Sequence, residues 1–535
     1  MRYNMKKVIT MFVASAITIN ALAQSDLQSG IKMYNYKKLV SAERILTPLA
    51  ATDAQANYYL GLTYLAEGNT SMASTTFAKY PEDPANISGT ARVAFINKDA
   101  AKGMQIAKDL AAKAKKKDWI QLKYAADAIA YTTGGDYDQA IAWYTAALTK
   151  NDDPDMHIGL GDTYRKKAGG GGDAMNNYEH ITDKDPNNSL AFSRIGDLWY
   201  DARNYQSALE NYAKAKTADS TNPLPYKALG DAYARSGKYQ VALENVKHYL
   251  QLSDNTLADK LDYVRILYLA QSYCDAVTMS KSLLATGNAP DSTKIELLGI
   301  LGFSEIDCGD SVDALNNLRQ YFTIQNPKRI LPGAYIEYGK LYLKLGQLDS
   351  AGFYYTKGIA GDTTQNKTDL YRQIAEAFKA KKDYCGSADW YNNLIKANPA
   401  TQPLDYFWRG YMYYYCKNMD KSVAAFKEFG AKYPQQPSAI YWLGRAEAAI
   451  DSEATQGLAV PDFKRWLDTV GASYDKKNDM KIAYQYLLLY YYNQKDKENT
   501  KLYMDKIRAI DPNDTLVKQI DEADKAPAAP KPKKK

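Results

Sequence analysis

A short unit recurs along this chain of 535 residues, and a recurring unit limits the fold more than any other feature a sequence can show. Gly161-Asp162-Thr163-Tyr164, Gly196-Asp197-Leu198-Trp199 and Gly230-Asp231-Ala232-Tyr233 place their glycines 35 and 34 residues apart. Related positions hold Gly61 with Tyr64, Gly339 with Tyr342, Ala375 with Phe378, Gly410 with Tyr413, and Gly444. About nine residues past each aromatic stands an Ala or Ser, and four further on an aromatic or apolar residue. Ala208/Tyr212, Ala242/Val246, Ala351/Tyr355, Ser387/Tyr391 and Ser422/Phe426 are examples. Pro186, Pro223, Pro399 and Pro434 fall between units. Length alone would suggest roughly three or four domains. A repeat of this period implies instead that neighbouring units stack into one continuous core.

The combination resembles the tetratricopeptide repeat (TPR), over nearly all of residues 25–515. The resemblance implies an all-α chain, a right-handed α-solenoid of about fourteen stacked antiparallel helix pairs. In each pair a small residue on the first helix, A, lets the second, B, approach closely, and aromatics fill the space beside that contact. Tyr-rich turns such as Asn204-Tyr205, Lys238-Tyr239 and Asp383-Tyr384 would join A to B. The pattern is strong over 155–250 and 332–450. Residues 85–118 show no clear repeat glycine, and Val264 replaces it in the eighth unit. Asp451 to Pro461 reads as an insertion ahead of helix B in the thirteenth. The Tyr-rich last unit, 476–511, is expected to cap the array. The expected division is an N-terminal solenoid over 24–255 and a C-terminal one over 256–525.

The ends carry most of the net charge of +7. Arg2, Lys6 and Lys7 precede an apolar run from Val8 to Leu22, and Ala21-Leu22-Ala23 has the small-x-small form of a cleavage site. Residues 1–23 are therefore read as a secretory signal, similar to those of Bacteroidota. The run is shorter than the ~20 residues a membrane span needs, and no Cys follows Ala23 as a lipoprotein would require. The expected location is the periplasm, with a peripheral envelope or outer-membrane association by analogy. The Pro/Ala/Lys tail 526–535 is expected to be disordered. Between the ends, basic and acidic residues are equal in number and interspersed. That argues against a nucleic-acid-binding face.

Four cysteines allow three pairings. In the register of the resemblance, Cys274 and Cys385 fall near the start of helix B, and Cys308 and Cys416 near the end of the next helix A. Those helix ends lie side by side, so the resemblance implies the disulfides Cys274–Cys308 and Cys385–Cys416. Four buried free thiols are the alternative. His157, His180 and His248, the only histidines, stand in no metal-ligand spacing. No metal and no cofactor is expected.

Catalytic motifs are missing as well. The run Ala168-Gly169-Gly170-Gly171-Gly172-Asp173 lacks the Lys-Ser/Thr of a phosphate loop and reads as a turn. The chain is expected not to be an enzyme, which leaves a binding surface. In TPR proteins helix A lines the concave face. There the sequence offers an acidic line, Asp162, Asp197 and Asp231, mixed with Arg165, Lys166, Lys227 and Arg235. It also offers an aromatic group, Phe407, Tyr411, Tyr414, Tyr415 and Tyr441, with Arg445. Solvated charges and plain aromatic core are the competing accounts of the two. The chaperone-tail clamp of some TPR modules needs an Asn at the position that Asp162 occupies, and no well-aligned unit has one. Asp310-Ser311-Val312, Asp349-Ser350-Ala351 and Asp468-Thr469-Val470 resemble a short O-glycan acceptor motif, though helix capping accounts for such triplets too. The expected function is a non-catalytic periplasmic scaffold for a protein or peptide partner. The alternative is a binder of glycan or peptidoglycan.

Overall fold

The computed structural model describes residues 24, 26–363 and 367–525; the signal read at 1–23 and the tail 526–535 lie outside them. Every regular element among the described residues is helical. Fourteen antiparallel pairs run from 26–35 with Leu39–Leu49 to Lys477–Asn493 with Lys497–Ile510. The punctuation explains the regularity. Helix A often opens on an Asp or Asn whose side chain accepts from the first-turn backbone, as at Asp83, Asp153 and Asn222, with proline next. That order suits the unpaired donors and the fixed φ of a helix start. Helix A closes on a left-handed residue followed by the cap of helix B. Gly68-Asn69, Lys98-Asp99, Arg203-Asn204, Lys417-Asn418 and Lys495-Asp496 all follow this rule.

Many of the pairs share one close contact between a small residue and a ring. A Cβ on Gly161, in helix Pro154–Tyr164, would collide with the ring of Tyr178 in helix Gly171–Lys184. The third pair, Pro84–Ile96 with Ala100–Ala112, is regular although its sequence is not. Here the small residue is Gly103 on helix B, where a Cβ would sit 2.6 Å from the ring of Phe95 on helix A. The eighth pair, Leu257–Leu269 with Tyr273–Ala285, exchanges sizes in the same sense, burying Val264 on helix A and Ser280 on helix B.

The chain forms two compact units, Met1–Thr323 and Ile324–Lys535. Stacking in the first continues past 255/256, where the Tyr249 hydroxyl donates to Asp259. In the second, the pair 477–510 is not the last element. Helix Thr515–Lys525 follows and buries Val517 and Ile520 in the same apolar cluster as Tyr484, Tyr486 and Met504. The insertion appears as the loop between Pro437–Ile450 and Val460–Val470. No helix among the described residues is long and apolar enough to cross a membrane.

All four cysteines are paired, Cys274 with Cys308 and Cys385 with Cys416, with Cα atoms 5.3 and 5.2 Å apart. Each bridge ties helix B of one pair to helix A of the next, with sequence separations of 34 and 31. Loops of that size are worth about 3–4 kcal/mol in a chain-entropy account. Dithiothreitol should therefore lower the urea midpoint of both units. Replacing Cys274 and Cys308 together by alanine should lower only that of the first, read by hydrogen exchange. A midpoint indifferent to reduction would mean that the bridges carry no load.

Candidate binding faces

The N-terminal unit curls until its first pair meets loops far along the chain. Lys32 pairs with Asp219 at 3.1 Å, and the Tyr36 hydroxyl donates to the same carboxylate. The Val40 amide and the Ser41 hydroxyl donate to Asp254 at 2.8 and 2.6 Å. Asp219 and Asp254 follow the B helices of the sixth and seventh pairs. The curl gathers helix-A side chains from several pairs inside the unit. Lys37 is lowered below the usual lysine range, first by burial and then by Arg194, with Asp162 opposing.

The acidic line sits on this inner side, and it begins one pair earlier than the sequence suggested, at Asp127. Its members are tied to helix B by tyrosine hydroxyls. Tyr144 donates to Asp127, Tyr178 to Asp162 at 2.8 Å, and Tyr212 to Asp197 at 2.9 Å. Cations answer the same acids: Lys123 at 3.0 Å from Asp127, Arg194 at 2.9 Å from Asp162, Arg165 at 3.6 Å from Asp197. Buried beside these carboxylates, the Tyr144, Tyr178 and Tyr212 hydroxyls are pushed far above the ordinary phenol range. Asp231 differs. Val246 stands where the others have tyrosine, and a Cβ on Gly230 would meet it. Burial first, with Lys227 opposing, raises the Asp231 carboxyl above its usual range. Asp231 and Asp197 line a groove of about 640 Å³ with Tyr200, Tyr212 and Arg235.

In the C-terminal unit the aromatic group spans the A helices Pro403–Tyr415 and Pro437–Ile450. The Phe407 and Tyr411 rings stack at 5.3 Å. Tyr411 meets Trp442 edge-on at 4.6 Å, and Tyr414 meets it at 5.3 Å. The Tyr411 hydroxyl donates to that of Tyr415 at 3.1 Å; burial and then this bond push Tyr411 up to about 12. Arg445 lies 5.0 Å from the Trp442 ring and donates to the Tyr441 and Tyr414 hydroxyls at 3.1 and 3.2 Å. Tyr441 is buried against Trp466 and belongs to the core. Phe407, Tyr411, Tyr414 and Trp442 are half-buried, and Tyr415 is exposed. Phe407 also borders a groove of about 440 Å³ with Leu404, Phe429 and Gln436.

Two residues of this group, Trp408 and Trp442, escape the sequence reading. Each stands two residues before its repeat glycine, at Gly410 and Gly444, just outside the stripe credited to the concave face. Arg194 holds the same place before Gly196, and it too reaches back to the preceding pair. Lys379 sits 4.0 Å from the Trp408 ring centroid.

Residues 127–155 match the family model of the tetratricopeptide repeat. No curated protein sequence matches the chain. Similar solved structures include the C-terminal part of a TPR repeat-containing protein from Cytophaga hutchinsonii, 24% identical over 48% of this chain and 98% of that one, with a TM-score of 0.30. A tetratricopeptide repeat protein from Parabacteroides merdae is 16% identical over 46% and 93%, with a TM-score of 0.29. YrrB, a TPR protein described as having an unusual peptide-binding site, is 16% identical over 38% and 97%, with a TM-score of 0.30. The matched segment runs from the end of helix Ile120–Ala130 through helix Tyr137–Leu148 to the start of helix Pro154–Tyr164, and the fourteen helix pairs built to that plan fold as an α-solenoid of tetratricopeptide-repeat type.

Proposed function

We propose that the protein is an exported, non-catalytic scaffold that holds a protein or peptide segment on the helix-A face of its C-terminal unit, within a cell-envelope assembly. The observation that carries this reading is the set of half-exposed rings, Tyr411, Tyr414, Tyr415 and Phe407, gathered around Trp442 and Arg445. Aromatics with an arginine are the side chains that most often anchor protein interfaces. Tyr suits a wet groove because its ring packs while its hydroxyl stays hydrated. Asp162 and Asp197, by contrast, already have internal partners, which leaves Asp231 as the acid of that line best placed for a ligand. Support for export comes from the signal pattern at 1–23 and from paired cysteines, which persist outside the reducing cytosol.

Affinity purification from crosslinked cells tests the reading. Envelope proteins should be recovered in stoichiometric amounts with the parent chain. They should be lost with Tyr411→Ala and Tyr415→Ala combined, while helical circular dichroism stays unchanged. Undiminished capture by that variant would remove the aromatic face from the proposal. Retention on cell-wall sacculi, with no protein captured, would favour the glycan-binding alternative.

A further inference from the structure

Two of the three histidines, on the two helices of one pair and in no motif, meet in the fold. His157 lies in the first turn of helix Pro154–Tyr164 and His180 in helix Gly171–Lys184, with ring centroids 4.1 Å apart. Their Nε2 atoms converge on one oxygen, Oδ1 of Asp152, at 2.8 and 3.1 Å. Among the described residues this is the group of three whose ligand atoms all lie within 4.8 Å of one another. The other carboxylate oxygen, Oδ2, is occupied by the Lys184 ammonium. His180 Nε2 also lies 3.4 Å from Oδ2, so Oδ1 is the oxygen the two rings share.

Asn177 holds the His157 ring from its far side. Nδ1 lies 2.9 Å from the Asn177 Oδ1. The Asn177 amide cannot be turned over, because its Nδ2 donates to the Asp173 carbonyl at 2.8 Å. Nδ1 is thus engaged with Asn177, and Nε2 is the ring atom turned toward Asp152. Two settings meet a 2.8 Å approach of Nε2 to Oδ1. A proton on His157 would satisfy that one contact. A metal ion would satisfy it together with His180, since all three atoms could share it.

The spacing agrees with the second solution. Ligands about 2.0–2.1 Å from a tetrahedral zinc ion lie roughly 3.3 Å apart, close to the separations found here. Asn177 orients the His157 ring as an outer partner orients a ligating imidazole. Two imidazoles and one carboxylate, with a fourth position left to water, suit Zn²⁺. We propose that Asp152, His157 and His180 form a zinc-binding site. The ion would fasten the loop between the fourth and fifth pairs to both helices of the fifth.

The test is calorimetric titration of the full chain, stripped with EDTA and dialysed, with zinc chloride alone. One zinc per chain should bind. His157→Asn and His180→Gln should each abolish that binding with helical circular dichroism preserved. Asn177→Leu should weaken it about tenfold through loss of ring orientation. His248→Gln should leave it unchanged. No zinc uptake by the parent chain, or undiminished uptake in both the His157 and His180 variants, would overturn the site.

Discussion

Asp451→Ala should destabilise the C-terminal unit by about 3–5 kcal/mol, the range of a change that breaks a hydrogen-bond network centred on a buried group. Asp451 ends helix Pro437–Ile450 and is buried. Its carboxylate accepts from the backbone N–H groups of Thr455, Gln456, Gly457 and Leu458, at 3.0, 3.1, 2.7 and 3.4 Å. It also accepts the Tyr486 hydroxyl, at 2.7 Å, from the next helix A. Burial would raise this carboxyl, but the Tyr486 hydroxyl and the loop amides overcome it and hold the group below the usual carboxylate range. One side chain thus folds the whole insertion and docks it on the next pair. Without it, four amides and a phenol lose their acceptor together. The check is hydrogen exchange at 455–458 together with the urea midpoint read from the buried Trp466. Asp451→Asn, which keeps one acceptor oxygen, should lose less. An alanine variant with unchanged exchange at those amides would show that the loop is held by other means.

The insertion marks where sequence reading succeeds and where it stops. Its position and length were legible because the repeat glycine Gly444 sets the register and the following alanine/aromatic pattern arrives late. What organises it was not, since Asp451 looks like any acid at a helix end. The third pair shows a second limit. Reading for the repeat glycine on helix A fails there because Gly89 meets Phe77 of the preceding pair, while the glycine that closes this pair is Gly103 on helix B, against Phe95 on helix A. The contact is conserved in shape while its residues are exchanged, and a one-helix pattern cannot register that. The paired cysteines were legible for the opposite reason, because their relation depends only on where B starts and the next A ends. The return of the first pair onto Asp219 and Asp254 depends on curvature summed over several pairs, which no local pattern contains. His157 and His180 likewise meet through the A–B turn of one pair.

The acidic line shows how a correct pattern can carry more than one meaning. Helix A alone displays Asp162, Asp197 and Asp231 as a row of charge. Helix B, about sixteen residues on, explains most of the row, since Tyr178 and Tyr212 need acceptors for hydroxyls that the packing buries. Tyr391 and Glu376 repeat the device in the C-terminal unit. The tyrosine ring fills the space beside the small residue, and the acid one position further along helix A receives its hydroxyl. Packing and polar satisfaction are thereby supplied by one pair of side chains. The rings around Trp442 also have internal partners, Tyr415 for the Tyr411 hydroxyl and Arg445 for that of Tyr414, but they stay half-exposed.

Asp127→Leu is the sharpest test of this device, because there the acid is most deeply enclosed. Asp127 is 4% exposed and receives both the Tyr144 hydroxyl and, at 3.0 Å, the Lys123 ammonium. Lys123 is itself largely covered; burial alone would lower it, but Asp127, with Tyr124 and Tyr58, holds it well above the ordinary lysine range. Leucine in place of Asp127 strands a cation and a hydroxyl in the interior, which should destabilise the N-terminal unit by about 3–5 kcal/mol. The same ion pair implies a rescue. Replacing a buried ion pair by apolar residues of similar volume is often neutral, whereas removing one partner is not. Lys123→Met and Tyr144→Phe added to Asp127→Leu should therefore restore most of the lost stability, measured by urea unfolding with hydrogen exchange localised to residues 120–148. If the triple variant is no more stable than Asp127→Leu alone, the carboxylate acts through something other than these two partners.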